Sequence, residues 1–279
     1  MLKNRSLKKL FPVRKADTHK GDYGKVFILA GSEGMLGAAV LCSRAALRSG
    51  AGLVYLAIPK PFEPQINLAT PEIITTGEEK INLLAHSIKK MDAVAIGPGL
   101  GARRSLVRPL LFEVNRQKLL SAVVLDADAL NAFVGKTGEL EKLQLKLILT
   151  PHPGEMAKLL GIKTEEVQKN RKKIVLLAAK KFNCMVVLKG YKTIVADQSG
   201  RIYINQSGNP GMATAGAGDV LTGMIVSFLA QGLSSWDAAV AGVYLHGLAG
   251  DLAAKEKGQY GMIASDIIEQ IPYALQKIN

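Results

Sequence analysis

Short apolar runs, three to six residues long, punctuate the chain at residues 26–30, 53–58, 93–96, 122–125, 147–149, 185–188 and 194–196. Continuous runs of this length predict strands covered on both faces, as in a parallel sheet. Between them lie segments with helical spacing: 38–49, closed by Gly50, and 164–181, whose charges fall on one face. Segments 220–230 and 236–254 are apolar nearly all round and should be largely buried, while 264–277 is amphipathic. Residues 201–205 fold back on 194–196 across a turn at 197–200, as a hairpin. Strands alternating with helices predict a three-layer α/β/α sandwich with a mostly parallel central sheet and an antiparallel hairpin near one edge.

Glycine-rich or acidic turns follow the strand runs. The first is Gly31-Ser32-Glu33-Gly34-Met35-Leu36-Gly37, spaced G-x-x-G-x-x-G, and the next strand ends in Pro59-Lys60 rather than an acid. Both features disfavour a dinucleotide-binding dehydrogenase, and no Walker-type G-x-x-x-x-G-K-[ST] is present. Gly97-Pro98-Gly99-Leu100-Gly101 opens a second loop, followed by a helix bearing Arg103, Arg104 and Arg108. Ligands of such folds sit outside the carboxyl ends of the strands, so Asp126 and Asp128 after residue 125, and His152 and Glu155 after residue 149, are candidates. Asp128 is expected to cap the following helix. Asp126 can hold Mg²⁺ through water. His152, stiffened between Pro151 and Pro153, is either a loop residue satisfied by main chain or a ligand contact. A turn between strands needs no two lysines, so Lys189-Gly190-Tyr191-Lys192-Thr193 suits a diphosphate or the ribose of an adenine nucleotide.

The most informative stretch runs from Asn209 to Gly223. Thr214 and the small residues Ala215, Gly216, Ala217 and Gly218 precede an apolar helical run. The first turn of a helix leaves about four amides without an intrahelical acceptor and carries roughly half a positive charge. Phosphate fits there. Asp219 on that turn suits a base that deprotonates a hydroxyl attacking the phosphate. An ordinary N-cap is the plainer alternative. The residues alone support a magnesium-dependent phosphoryl transfer with Asp219 as base and the amides of Gly216, Ala217, Gly218 and Asp219 as anion hole.

Composition sets the boundaries. At 279 residues and 48% hydrophobic, one large core is expected, with a single domain over 20–279 behind a basic tail over 1–19. Residues 1–25 carry eight Lys/Arg against Asp17 and Asp22, a net +6 of the chain's +13. The chain shows few aromatics and no nucleic-acid-reading motif, so that tail and the basic run at 169–173 are read as solvated, and nucleic acid is not an expected partner. No apolar stretch reaches 18 uninterrupted residues, which predicts no membrane span. Cys42 and Cys184, in apolar surroundings, read as buried free thiols and fit a reducing cytoplasm. His246 reads as a satisfied core histidine.

The run G-N-P-G-M-A-T-x-G-x-G-D-V-L-T-G at 208–223, with His152-Pro153-Gly154-Glu155 and Lys189 to Thr193, resembles the NAD(P)H-hydrate dehydratase family, of ribokinase-like fold. The resemblance covers residue 20 onward. Ala215 and Ala217 depart from a pattern that often has a second Gly and a Thr or Ser. It implies repair of the S-epimer of hydrated NADH or NADPH: a nucleotide phosphorylates the added hydroxyl, and elimination of phosphate restores the dihydronicotinamide. Bacterial-type members use ADP and eukaryotic ones ATP; without the epimerase domain often fused ahead, this chain resembles the bacterial type. The resemblance carries over Ala39, Gly101, His152 and Asp219 as contacts to the hydrate. It gives Gly218 and the segment Lys189, Gly190, Tyr191, Lys192, Thr193 to the AMP portion of the nucleotide, Glu155 to magnesium, and a homotetramer as the assembly. A vitamin or hydroxymethyl-thiazole kinase of the same fold is the alternative.

Overall fold

The computed structural model describes residues 7–119 and 122–278. Its strands are β1 (Lys25–Leu29), β2 (Leu53–Ala57), β3 (Ile74–Thr76), β4 (Ala93–Ile96), β5 (Ala122–Leu125), β6 (Lys146–Leu149), β7 (Met185–Leu188), β8 (Ile194–Ala196) and β9 (Ile202–Ile204). They form one sheet in the order β3-β2-β1-β4-β5-β6-β7-β8-β9. Every pairing from β3 to β7 is parallel, and β8 and β9 return antiparallel.

The helices are α1 (Leu36–Arg48), α2 (Glu63–Ala69), α3 (Ile81–Ile88), α4 (Val107–Arg116), α5 (Asp128–Asn131), α6 (Pro153–Leu160), α7 (Thr164–Lys169), α8 (Arg171–Lys181), α9 (Ala217–Ala230), α10 (Ser235–Gly261) and α11 (Ala264–Gln276). Strand alternation sorts the core into two layers. Val26 and Ile28 of β1 face α1, α9, α10 and α11, whereas Phe27 and Leu29 face α3, α4, α6 and α8. Burying a side chain such as Phe27 contributes about 1.5–3 kcal/mol. The expected three layers and edge hairpin are present.

Close helix packing fixes the site's floor. α9 lies on α1 so tightly that a Cβ on Gly223 would fall 2.1 Å from the Cys42 carbonyl oxygen. Both cysteines are buried free thiols. Among the described residues no helix is long and apolar enough to cross a membrane.

Three details differ from expectation. Residues 74–76 form a strand the pattern does not mark, because Ile74 is exposed and Thr75 and Thr76 are half-buried. The segment 164–181 is two helices, broken where Asn170 leaves helical geometry at φ −124°, ψ 33°. Of the segment read as a basic tail, residues 1–6, with Lys3 and Arg5, lie outside the described residues. Farther along it Leu7 is buried, and Phe11 meets Phe228 edge-on at 4.9 Å between centroids.

Candidate active site

Because the strands from β3 to β7 are parallel, their carboxyl ends share one rim, and the turns singled out in the sequence meet there. Asp126 leaves β5 with its amide on Ile96 O and is 1% exposed. Both its oxygens are engaged: Lys189 Nζ donates to Oδ1 at 2.6 Å and Thr222 Oγ1 donates to Oδ2 at 2.7 Å. Lys189 Nζ also lies 3.9 Å from Glu155 Oε2. The Lys189 side chain therefore points into the acid cluster, while Tyr191 and Lys192 of the same turn are exposed. Thr193 Oγ1 donates back to Gly190 O at 3.0 Å.

Three carboxylates, Asp126, Glu155 and Asp219, surround this one ammonium. The electrostatics follow from that count. Burial would lower the Lys189 ammonium, but Asp126 and Glu155 outweigh it and hold it above the ordinary lysine value. Glu155 is raised by burial against the pull of Lys189. Asp219 is pushed up to about 7, first by burial, then by the charge of Asp126, with Lys189 opposing and Glu155 adding.

Asp219 sits on the first turn of α9. Gly216 starts that helix in the left-handed region at φ 86°, where a Cβ would run into Leu41 Cδ1 at 2.3 Å. The helix has no side-chain cap. Ala217 N donates to Thr214 O at 3.4 Å, and Val220 N makes the first bond of the helix to Gly216 O at 3.1 Å. The amides of Gly218 and Asp219 between them meet no acceptor among the described residues, so they are the donors left for an anion. A Cβ on Gly218 would stand 3.2 Å from Lys189 Nζ, which places main-chain donors, carboxylate and ammonium around one point.

Behind this loop is His246, lowered to about 4 by burial and so neutral at neutral pH. Its Nε2 has no hydrogen-bond partner among the described residues, although the Ala217 main chain acts on the ring and opposes the lowering.

His152 resolves as a helix cap. Its Nδ1 accepts from Gly154 N at 3.0 Å and Glu155 N at 3.3 Å, and Glu155 Oε2 accepts from His152 N at 2.7 Å. An accepting Nδ1 puts the proton of the neutral ring on Nε2. That nitrogen lies 3.5 Å from Glu155 Oε1 on a side chain 56% exposed, open to the rim.

The other side of the cleft is mostly main chain. Gly101, at φ 54°, donates its amide to Asp128 Oδ2 at 2.8 Å, so Asp128 anchors this loop rather than capping its own helix. A Cβ on Gly101 would meet Met35 Cε at 2.8 Å and Ser32 Oγ at 3.1 Å. Ser32 Oγ in turn donates to Gly99 O. Arg103 Nη1 holds Ala30 O and Gly31 O, at 3.1 and 2.7 Å, and Arg103 Nε pairs with Glu79 at 3.2 Å. Ala39 is fully buried behind Gly31, whose Cβ would lie 3.0 Å from its methyl group, so Ala39 shapes the wall from within.

The residues fit magnesium in one way. No three His, Cys, Asp or Glu side chains converge to cage an ion among the described residues, and each Asp126 oxygen already accepts one hydrogen bond. Yet three acids around one ammonium leave a surplus of negative charge, which a divalent ion carried by phosphate oxygens would neutralise, with Glu155 as the acid in reach and Asp126 behind water.

Thr222 and Arg171 were not singled out by sequence reasoning. Thr222 carries a signal, a polar residue three positions after Asp219 on a buried helix, hence on the same face. Arg171 carries none.

A family model described as NAD(P)H-hydrate dehydratase matches residues 26–273. A bifunctional NAD(P)H-hydrate repair enzyme from Moorella thermoacetica is 43% identical over 280 residues, which cover 96% of this chain and 52% of that relative. The chain spans about half the length of the bifunctional curated relatives it matches. An ADP-dependent (S)-NAD(P)H-hydrate dehydratase from Neisseria meningitidis is 40% identical, covering 92% of this chain and 87% of its own. In structure, the ADP/ATP-dependent NAD(P)H-hydrate dehydratase of Bacillus subtilis, co-crystallised with ATP and Mg²⁺, superposes with a TM-score of 0.86 at 30% identity, over 99% of this chain and 98% of that one.

Proposed function

Since the chain belongs to the NAD(P)H-hydrate dehydratase family, we propose that it converts the S-epimer of hydrated NADH or NADPH back to the dihydronicotinamide with ADP as phosphoryl donor. The observation that carries this reading is Asp219: a carboxyl pushed up to about 7 beside two free amides and an ammonium. Such a group is a base near neutrality and a weak acid once protonated.

In the proposed sequence the hydrate's hydroxyl gives its proton to Asp219 as its oxygen attacks the terminal phosphorus of ADP. The P–O bond to AMP breaks, and AMP leaves with those electrons. The Gly218 and Asp219 amides and Lys189 stabilise charge on the transferring oxygens, the larger part of catalysis in such transfers. The C–O bond of the phosphorylated hydrate then breaks, phosphate departs with the electron pair, and the neighbouring carbon gives a proton to the departing phosphate or to water as the double bond is restored. A magnesium ion bound with the nucleotide, held by Glu155 and through water by Asp126, would neutralise phosphate charge. His152, through its Nε2–H, and the Gly101 and Ala39 wall are assigned to the hydrate. Lys189 is assigned to the terminal phosphate rather than the adenosine half, with the Gly190, Tyr191, Lys192 and Thr193 turn left to AMP. We assign the protein to a reducing cytoplasm, which the two buried thiols suit, and to a homotetramer, for which exposed Tyr260, Ile263 and Tyr273 offer apolar surface. Sedimentation showing a monomer at working concentration would remove that last assignment.

Incubation with ADP and hydrated NADH tests the activity: the NADH absorbance band should recover as AMP and phosphate appear. Accumulation of a stable phosphorylated product would instead make the protein a small-molecule kinase of this fold.

A further inference from the structure

Building on that reading, we propose that Arg171 is a positioning residue for phosphoryl transfer: from outside the cleft it fixes the main chain at Lys189 and so sets where the ammonium stands. The basic run at 169–173 reads as solvated, and Lys169, Lys172 and Lys173 are exposed, but Arg171 is half-buried. Its Nη2 donates to Leu188 O at 3.1 Å and to Lys189 O at 3.2 Å, and Nη1 donates to Gln168 Oε1 at 3.2 Å. The Lys189 peptide is thus held on both sides, because its own N–H donates to Pro151 O at 2.9 Å. From a peptide held at both ends, the side chain reaches Asp126 at 2.6 Å.

The turn is built around the guanidinium. Gly190 adopts φ 124°, and a Cβ there would lie 3.1 Å from Arg171 Nη1. Arg44, Arg48, Arg108 and Arg116 pair with carboxylates, whereas among the described residues Arg171 pairs with none and spends its donors on carbonyls. A planar fork can serve several acceptors in fixed directions; an ammonium on a flexible stem cannot. Misplacing a reacting contact by about 1 Å from a remote change can cost about 10²-fold in rate.

The test compares Arg171→Gln and Arg171→Lys with Lys172→Gln and Lys173→Gln in the full chain, reading turnover, thermal midpoint, and ADP and AMP affinity by calorimetry. Arg171→Gln should lower turnover about 10-fold to 100-fold. It should weaken ADP binding about tenfold and AMP binding less, since Arg171 also holds the turn assigned to AMP but only ADP carries the phosphate that Lys189 meets. Arg171→Lys should not recover the loss, and the two lysine variants should match wild type. In a cycle with Lys189→Met, the double variant should be no worse than Lys189→Met alone, because Arg171 acts through Lys189. Additive losses, wild-type turnover in Arg171→Lys, or equal weakening of ADP and AMP would overturn the proposal. If Arg171→Gln does not fold, Arg171→Lys, which keeps the charge, decides it by the same readouts. Should wild type bind ADP without restoring NADH, the dehydratase reading fails while the affinity cycle still decides on Arg171.

Discussion

The two walls of the cleft use the same fastening and opposite chemistry. On one, Arg103 grips the carbonyls of Ala30 and Gly31; on the other, Arg171 grips those of Leu188 and Lys189. Beyond those clamps they diverge. The Gly31–Gly101 wall presents main chain, a serine and a methionine, with Asp128 spent on holding Gly101 and Glu79 paired with Arg103. The Asp219–Lys189 wall concentrates three acids and an ammonium, each shifted or pinned by the others. One wall offers shape at little electrostatic cost, and the other concentrates charge where the proposed reaction would move protons and phosphoryl groups.

The sharpest way to break this contrast is Asp219→Asn, which should lower turnover about 10²-fold to 10⁴-fold while leaving nucleotide binding nearly intact. Wild-type turnover in that variant would mean the charged wall does no chemistry. Next in size are two glycine replacements. Gly218→Val should weaken ADP binding by about tenfold or more, because its side chain would meet Lys189 Nζ and block approach to the free amides. Gly101→Val, at φ 54° and against Met35 and Ser32, should raise the KM for the hydrate and leave ADP affinity alone. If calorimetry and kinetics exchange those two outcomes, the division of labour between the walls is reversed.

A third expectation concerns pH. A base with pKa about 7 makes kcat/KM fall about tenfold per pH unit well below neutrality. Stability moves the other way. The folded-state pKa of Asp219 is raised, so the folded state binds more protons than the unfolded one between the two pKa values. Its contribution to stability is complete at low pH and is lost as pH rises toward about 7. Asp219→Asn should therefore raise the thermal midpoint at pH 8 and change it little at pH 4. A pH-independent shift would remove the charge explanation. The smallest effect belongs to Thr222→Val, which frees one Asp126 oxygen: stability should fall by about 1–2 kcal/mol, with a few-fold loss of turnover.

Apolar runs made seven of the nine strands readable and the hairpin turn added β9, since β1, β4, β5 and β7 are buried on both faces and contain no polar residue to blur them, apart from Lys25 at the start of β1. β3 escaped because an edge strand of three residues, Ile-Thr-Thr, has neither length nor burial to distinguish it from a loop. The break at Asn170 was invisible because residues 164–181 contain no Gly or Pro. At the site, residue type and strand-end position identified Asp126, Glu155 and Lys189 as candidates, and the small-residue loop ahead of an apolar helix identified Asp219. Direction was beyond reach. That Lys189 turns inward while Lys192 turns out, or that Arg171 leaves a basic surface run to reach carbonyls 17 and 18 residues away, depends on how layers stack, and no local pattern records it.

The reversal of strand direction after β7 has its own consequence. A parallel successor would need a crossover connection leaving from this rim. Returning at once as a hairpin, the chain instead leaves a short exposed tongue, tipped by Tyr191 and Lys192, whose length and side chains can vary without disturbing the acids below. Under the proposed assignment of that turn to AMP, changes at the tip would alter nucleotide preference and leave the acids below in place.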